Sequence, residues 1–145
     1  KASAEGIACV EGLAGKKPHA VNYAAIPGCT YCHPEVASVG LTEEKCKEQK
    51  LAYDVGRFPF KASGKAMAAG HTVGFVKVIL GKPHGEILGA HILGGASTDM
   101  IATLTLAISN ELTIDELLST VFAHPTYSEA IKEAMADAHG EAIDL

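Results

Sequence analysis

At 145 residues, with 48% apolar content and a net charge of −5, the chain is sized for one compact domain with a real core. The acidic balance and the scatter of its lysines leave no basic stripe, which argues against a nucleic-acid partner. No apolar run approaches the ~20 residues of a membrane span and no leader-like segment opens the chain, so the expected setting is cytoplasmic, without membrane contact.

The chain opens on Lys1 rather than Met, and KASAEGIA reads as the interior of a longer polypeptide. Residues 1–22 mix Ala and Gly and close on the polar turn Gly15-Lys-Lys-Pro18. They read as an element without its partner, expected to be mobile or repacked. Next comes Ile26-Pro-Gly-Cys-Thr-Tyr-Cys-His-Pro34, in which Cys29, Cys32 and His33 match CxxCH, the attachment motif of c-type haem. Thr30 and Tyr31 between a Pro-Gly start and a Pro stop favour a short strand instead. Residues three apart in a strand face opposite ways, so Cys29 and Cys32 are not expected to converge on a haem, a metal or a disulfide. All four cysteines are expected to be packing residues or free thiols, and no metal site is expected. A self-sufficient thiol or electron-transfer module built on Cys29 and Cys32 is the rival.

Val36–Leu41 alternates as a second strand, and Thr42 caps a short helix to about Lys50 with Glu43 and Glu44 in its first turn. The charges of that helix read as a solvated face. Leu51–Phe60 reads as a strand, and 61–70 as a small, polar, flexible loop. Val73–Leu80 and Glu86–Leu93, joined by Gly81-Lys-Pro-His-Gly85, read as an antiparallel hairpin, with His91 inside its second strand and no chemistry assigned to it. Gly94-Gly-Ala-Ser-Thr98 could cradle an anion at a helix start, but lacks any nucleotide fingerprint and reads as a strand-to-helix turn. Helix 97–110 carries Met100, Ile101, Leu104, Ala107 and Ile108 at helical spacing. Its apolar coverage spreads to Leu106, for which a subunit interface is one explanation. Thr113-Ile-Asp-Glu116 is a capping box that opens another short helix.

The chain then reaches Phe122-Ala-His-Pro-Thr-Tyr-Ser-Glu129. Thr126-x-x-Glu129 has capping-box spacing, with Thr126 at the N-cap of a helix over 129–138 lined by Ala130, Ile131, Ala134, Met135 and Ala138. That helix would hold Glu129 at a fixed place relative to His124, where the carboxylate could set the imidazole tautomer and stabilise an imidazolium. The same spacing equally fits a carboxylate that only returns a hydrogen bond to the N-cap backbone, beside a histidine that fills space before a proline. The expected fold is α+β, an antiparallel sheet of about four or five strands with helices packed on it.

HPTxSE near the end of a chain resembles the base-bearing signature of the flavin disulfide reductases, the class I pyridine nucleotide-disulfide oxidoreductase family. Tyr31-Cys-His-Pro-Glu-Val-Ala-Ser-Val-Gly-Leu-Thr-Glu-Glu44, Val55-Gly-Arg-Phe-Pro-Phe60 and Ile87-Leu-Gly-Ala-His-Ile-Leu-Gly94 are similar to its dihydrolipoamide dehydrogenase branch. The resemblance implies that residues 1–25 are the remnant of a flavin-binding domain and 26–145 an interface, or dimerisation, domain. It further implies a homodimer in which His124 is the acid/base and Glu129 orients it. His124 and Pro125 would lie near the flavin of the partner subunit, and the His124-Pro125 bond is a candidate for cis. The parent enzyme would use FAD, with NAD as final acceptor. Its partner would be the lipoyl-bearing acyltransferase component of a 2-oxo acid dehydrogenase complex. Two departures bear on this. Phe122 stands where the lipoamide branch commonly carries a histidine, which touches the substrate channel, and the glutathione reductases share HPTxSE. The sequence contains no CxxxxC and no dinucleotide fingerprint, so this chain alone is not expected to bind FAD or to turn over. The interface domain of a glutathione-type reductase, or a non-catalytic protein-binding module, are the alternatives.

Overall fold

A computed structural model of the chain describes residues 1–143, so the last two residues of the expected 26–145 domain lie outside the described residues. Five strands form one sheet: β1 (Gly28–Thr30), β2 (Glu35–Gly40), β3 (Tyr53–Pro59), β4 (Phe75–Gly81) and β5 (Ile87–Gly94). Their order is β1-β2-β5-β4-β3 and every pairing is antiparallel. The helices are α1 (Ala2–Leu13), α2 (Glu43–Glu48), α3 (Gly64–Ala69), α4 (Ser97–Ser109), α5 (Ile114–Ser119) and α6 (Glu129–His139). The expected α+β class with an antiparallel sheet is what the chain adopts.

The period of two explains how the sheet buries one side. Phe58 pairs with Val76, Val76 with Ile92, and Ile92 with Ala37 across four strands. One step along, Gly56, Val78, Ala90 and Val39 make a second row on the same face. Onto these rows α4 packs Met100, Ile101, Leu104 and Ala107 over β2 and β5, and α6 packs Ala130, Ile131, Ala134 and Met135 over β3 and β4. Docking of α6 is close because β3 offers Gly56, where any Cβ would overlap the Ala134 carbonyl oxygen. Asp137 of α6 also accepts the Arg57 backbone N–H of edge strand β3 at 2.7 Å, which satisfies a donor the sheet leaves unpaired.

Several local expectations hold. Thr42 Oγ1 accepts the Lys45 N–H at the start of α2, and Thr113 and Glu116 form the capping box of α5. The hairpin β4–β5 and the bounds of α4 agree with the sequence to within a few residues.

Residues 1–22, read as an element without its partner, contain a regular helix, α1, none of whose residues is buried; Glu5 accepts from the Tyr23 hydroxyl at 2.8 Å. Others are corrected. Residues 61–70 are not a loop: a 3₁₀ turn at Phe60–Ala62 leads into α3, where Ser63 accepts the Ala66 N–H and Ala66 is fully buried. The strand at Cys29 ends at Thr30, so Cys32 falls outside it and strand alternation does not describe the pair. Cys29 is half-buried, Cys32 exposed, and both are free. Finally, α2 is not merely solvated, because Glu43 pairs with Arg57 at 2.8 Å and with Lys77 at 3.1 Å across the second face of the sheet.

Candidate functional site

The segment 120–128 connects α5 to α6, and the start of α6 decides where its groups lie. Pro125 stops regular structure, and the His124-Pro125 peptide is cis. The helix begins at Glu129, in the first turn, where a carboxylate is favoured by the dipole. Thr126 is not the N-cap expected from the spacing: that position is Ser128, and Thr126 Oγ1 instead donates to the Ala123 carbonyl at 2.7 Å. Half of the box survives, since the Thr126 N–H donates to Glu129 Oε2 at 2.8 Å.

The other carboxylate oxygen, Oε1, lies 2.8 Å from His124 Nδ1. Glu129 therefore fills both roles that its spacing allowed, one with each oxygen. An ionised carboxylate can only accept, so Nδ1 carries the hydrogen and Nε2 presents its lone pair. The His124 side chain is 79% exposed and Glu129 is 34% exposed. Burial alone would raise the Glu129 carboxyl, but the Thr126 N–H and the His124 ring outweigh it and hold the group below its usual range. An imidazole in this setting can take a proton at Nε2 while the carboxylate steadies the resulting cation.

A cleft of about 100 Å³ lies beside the pair, lined among others by Phe58, Ser63, Gly64, Ala130 and Glu133. Ligand pockets run from about 300 Å³ upward, so this cleft is too small to enclose a flavin nucleotide. The pair opens outward, toward whatever covers the face.

Of the other residues singled out in the sequence, none joins this pair. Cys29 and Cys32 sit at the opposite edge of the sheet, on and just beyond β1. His91, on β5 with its Nδ1 buried, has its pKa lowered by burial and by Lys77 beside it. The glycine-rich turn before α4 is already occupied by protein: Glu35 Oε2 accepts the Thr98 N–H at 2.9 Å and the Thr98 hydroxyl at 2.7 Å. Those two bonds hold Glu35 below the usual carboxylate range. Sequence reasoning missed Glu35, which lies 63 residues from the helix that it caps. It also missed the contact of Tyr127 with Phe60 and the half-buried packing of Phe122 against the core.

Acid should loosen this framework. Glu35, Glu43 and Glu129 all have depressed carboxyls in the fold. Each contributes stability that is complete above the unfolded carboxylate value of about 4.3 and is lost as pH falls through the lowered folded value. The melting temperature is expected to decline gently below about pH 6.5, where the unfolded chain protonates His91 more readily than the fold does, and to fall further below about pH 4.5 as the carboxylates protonate. A melting temperature unchanged down to about pH 3 would show that these bonds carry no linkage.

The family profile described as pyridine nucleotide-disulphide oxidoreductase, dimerisation domain, matches residues 26–135. The chain belongs to that family. Among its relatives, a dihydrolipoyl dehydrogenase of Rhizobium etli is 50% identical over 99% of this chain and 30% of its own length. One of Zymomonas mobilis is 47% identical over 99% of the chain and 31% of its length. The chain thus spans about a third of the curated relatives it matches. Among solved structures, the HOCl-induced flavoprotein disulfide reductase RclA of Escherichia coli superimposes with a TM-score of 0.82 at 25% identity, over 88% of this chain and 30% of that one. LpdA of Mycobacterium tuberculosis, at 21% identity and a TM-score of 0.81 over 88% of this chain and 28% of its own, shares the fold. Among the described residues no helix is long and apolar enough to cross a membrane.

Proposed function

We propose that this chain is the dimerisation segment of an FAD-dependent dihydrolipoyl dehydrogenase, and that it supplies the proton-accepting group for dithiol–disulfide exchange. The observation that carries the proposal is the 2.8 Å contact between His124 Nδ1 and Glu129 Oε1, with Nε2 left outward on an exposed side chain. The names of relatives at 50% and 47% identity support dihydrolipoyl groups as the substrate over glutathione, the alternative within the same family.

Thiolates attack disulfides and thiols do not. A dihydrolipoyl S–H therefore gives its proton to His124 Nε2, and the sulfur left as thiolate attacks one sulfur of a disulfide supplied outside this chain. One S–S bond forms and one breaks, and the displaced sulfur leaves as a thiolate. Glu129 keeps Nδ1 protonated throughout, so Nε2 is the nitrogen that gains the proton. When bound, FAD and NAD carry the substrate's electron pair onward. The cleft beside the dyad does not enclose a flavin, so the chain itself contributes the base, Pro125 next to it, and the surface that meets the flavin-bearing subunit.

That surface implies a homodimer. Residues 1–25 then belong to the flavin-binding domain and 26–145 to the interface domain. Support comes from α1, which has no buried residue, and from the match to the family profile beginning at residue 26. The acyltransferase component of a 2-oxo acid dehydrogenase complex is the partner that would present the lipoyl group. A cytoplasmic setting fits the bacterial relatives, and the Arabidopsis relatives named mitochondrial mark the other possibility, which fractionation decides.

The test is dihydrolipoamide turnover by the flavin-loaded full-length polypeptide carrying changes in the dyad. Glu129→Gln keeps a single acceptor oxygen, so it cannot accept from both the Thr126 N–H and His124 Nδ1, and it is expected to lower turnover at least about 10-fold, by less than removal of the imidazole. A larger loss for Glu129→Gln than for His124→Gln would assign Glu129 a mainly structural role.

A further inference from the structure

His124 sits in an exposed tip, Ala123-His124-Pro125, between flanks that are half-buried. These three residues are exposed, so apart from the bonds to Glu129 and Thr126 their orientation depends on how the flanks are held. Upstream, Phe122 packs against the core while its neighbour Val121 is 93% exposed, so the chain is inserted at one point only. Downstream, Tyr127 meets Phe60 edge to face, with ring centroids 5.9 Å apart and planes at 85°. Phe60 is itself fully buried, and it lies so close to Gly94 of β5 that a Cβ there would overlap its ring. Tyr127 thus rests on a ring packed tightly against the sheet. Inside the tip, the bond from Thr126 Oγ1 to the Ala123 carbonyl closes the loop upon itself.

We propose that Phe122 and the Tyr127–Phe60 ring pair are positioning residues, which hold the His124 loop at the orientation in which Nδ1 meets Glu129 and Nε2 faces the substrate. This rests on His124 being the proton acceptor. Tyr127 lies between the two dyad residues in sequence, and its ring partner is Phe60. Its effect reaches the chemistry only through the loop, by restricting the arc over which an exposed imidazole can swing. Misplacing a reacting group by about 1 Å can cost up to ~100-fold in rate, so freeing one flank should be visible in turnover. Phe122, at the position where the lipoamide branch commonly has histidine, then acts as an anchor in the core and not as a wall of the channel.

The experiment uses the flavin-loaded full-length polypeptide, with rates expressed per bound flavin. Tyr127→Ala is expected to lower kcat about 10-fold with KM changed less than about twofold, and Tyr127→Phe, which keeps the ring, to retain at least about half the rate. In a His124→Gln background, Tyr127→Ala should cause no further loss, because the loop then has no base to position. Full kcat in Tyr127→Ala, or the same fractional loss with and without His124, overturns the proposal. Should Tyr127→Ala fail to load flavin, Phe122→Ala against Phe122→Leu gives the same comparison at the other flank, with the same two outcomes. Undiminished turnover in His124→Gln alone is a different failure, since it removes the base itself.

Discussion

Replacing His124 by glutamine is expected to lower dihydrolipoamide turnover by the flavin-loaded full-length polypeptide at least ~100-fold at neutral pH, the lower end of general-base effects. Glutamine has similar reach and can still hydrogen-bond to Glu129, so the loop should persist and flavin loading should not change. What it cannot do is take up a proton. A dithiol with an ordinary pKa of about 8.5 is only a few per cent thiolate at pH 7, and the variant must rely on that fraction. The deficit should therefore shrink as pH rises past about 9, where the substrate ionises without help. A deficit that stays constant with pH would indicate that His124 does something other than accept the proton, and near-normal turnover at pH 7 would take the dyad out of the mechanism.

Gly56→Ala should cause a large loss of stability for a single added methyl. Gly56 sits in β3 on the face that α6 covers, and a Cβ there would overlap the Ala134 carbonyl oxygen and crowd the Ala138 backbone nitrogen. Neither neighbour is a flexible side-chain end, so the helix must move as a body. Overpacking of this kind costs about 1–3 kcal/mol, and a shift of roughly 3–10 °C in melting temperature follows for a chain of this size. Displacing α6 would also carry Glu129 away from His124, coupling the stability loss to the site. Gly64→Ala is the matched control. Nothing lies within 4 Å of a Cβ at that position, which is at the start of α3. It should be neutral or stabilising by about 0.5 kcal/mol, from the reduced freedom of the unfolded chain. Equal melting temperatures for the two variants would show that α6 does not press on β3.

What the sequence determined by itself was whatever depends on near neighbours in the chain. The Thr42 cap is made with a residue three positions on, and so is the capping box at Thr113. The hairpin came from two alternating runs and a short turn, and His124 was paired with Glu129 across five positions. Motifs legible over a few residues also carried the family resemblance. Tertiary structure decided what depends on distant partners. Glu35 closes the start of α4 from 63 residues away, and Glu43 spans two strands to reach Lys77. Gly56 reads as one more glycine until α6 lies on it, and Tyr127 as a variable position inside HPTxSE until Phe60 meets its ring. The misread stretches have the same cause. The polar composition of 61–70 suggested a loop, yet a Ser63 cap and burial of Ala66 make it helical. Thr126 lost its capping role because the Ala123 carbonyl, brought close by the turn at Pro125, accepts its hydroxyl instead. Propensities and caps act over one turn of chain, whereas packing selects among conformations of similar local energy, so the outcome at such positions is set only when the sheet and helices close on each other.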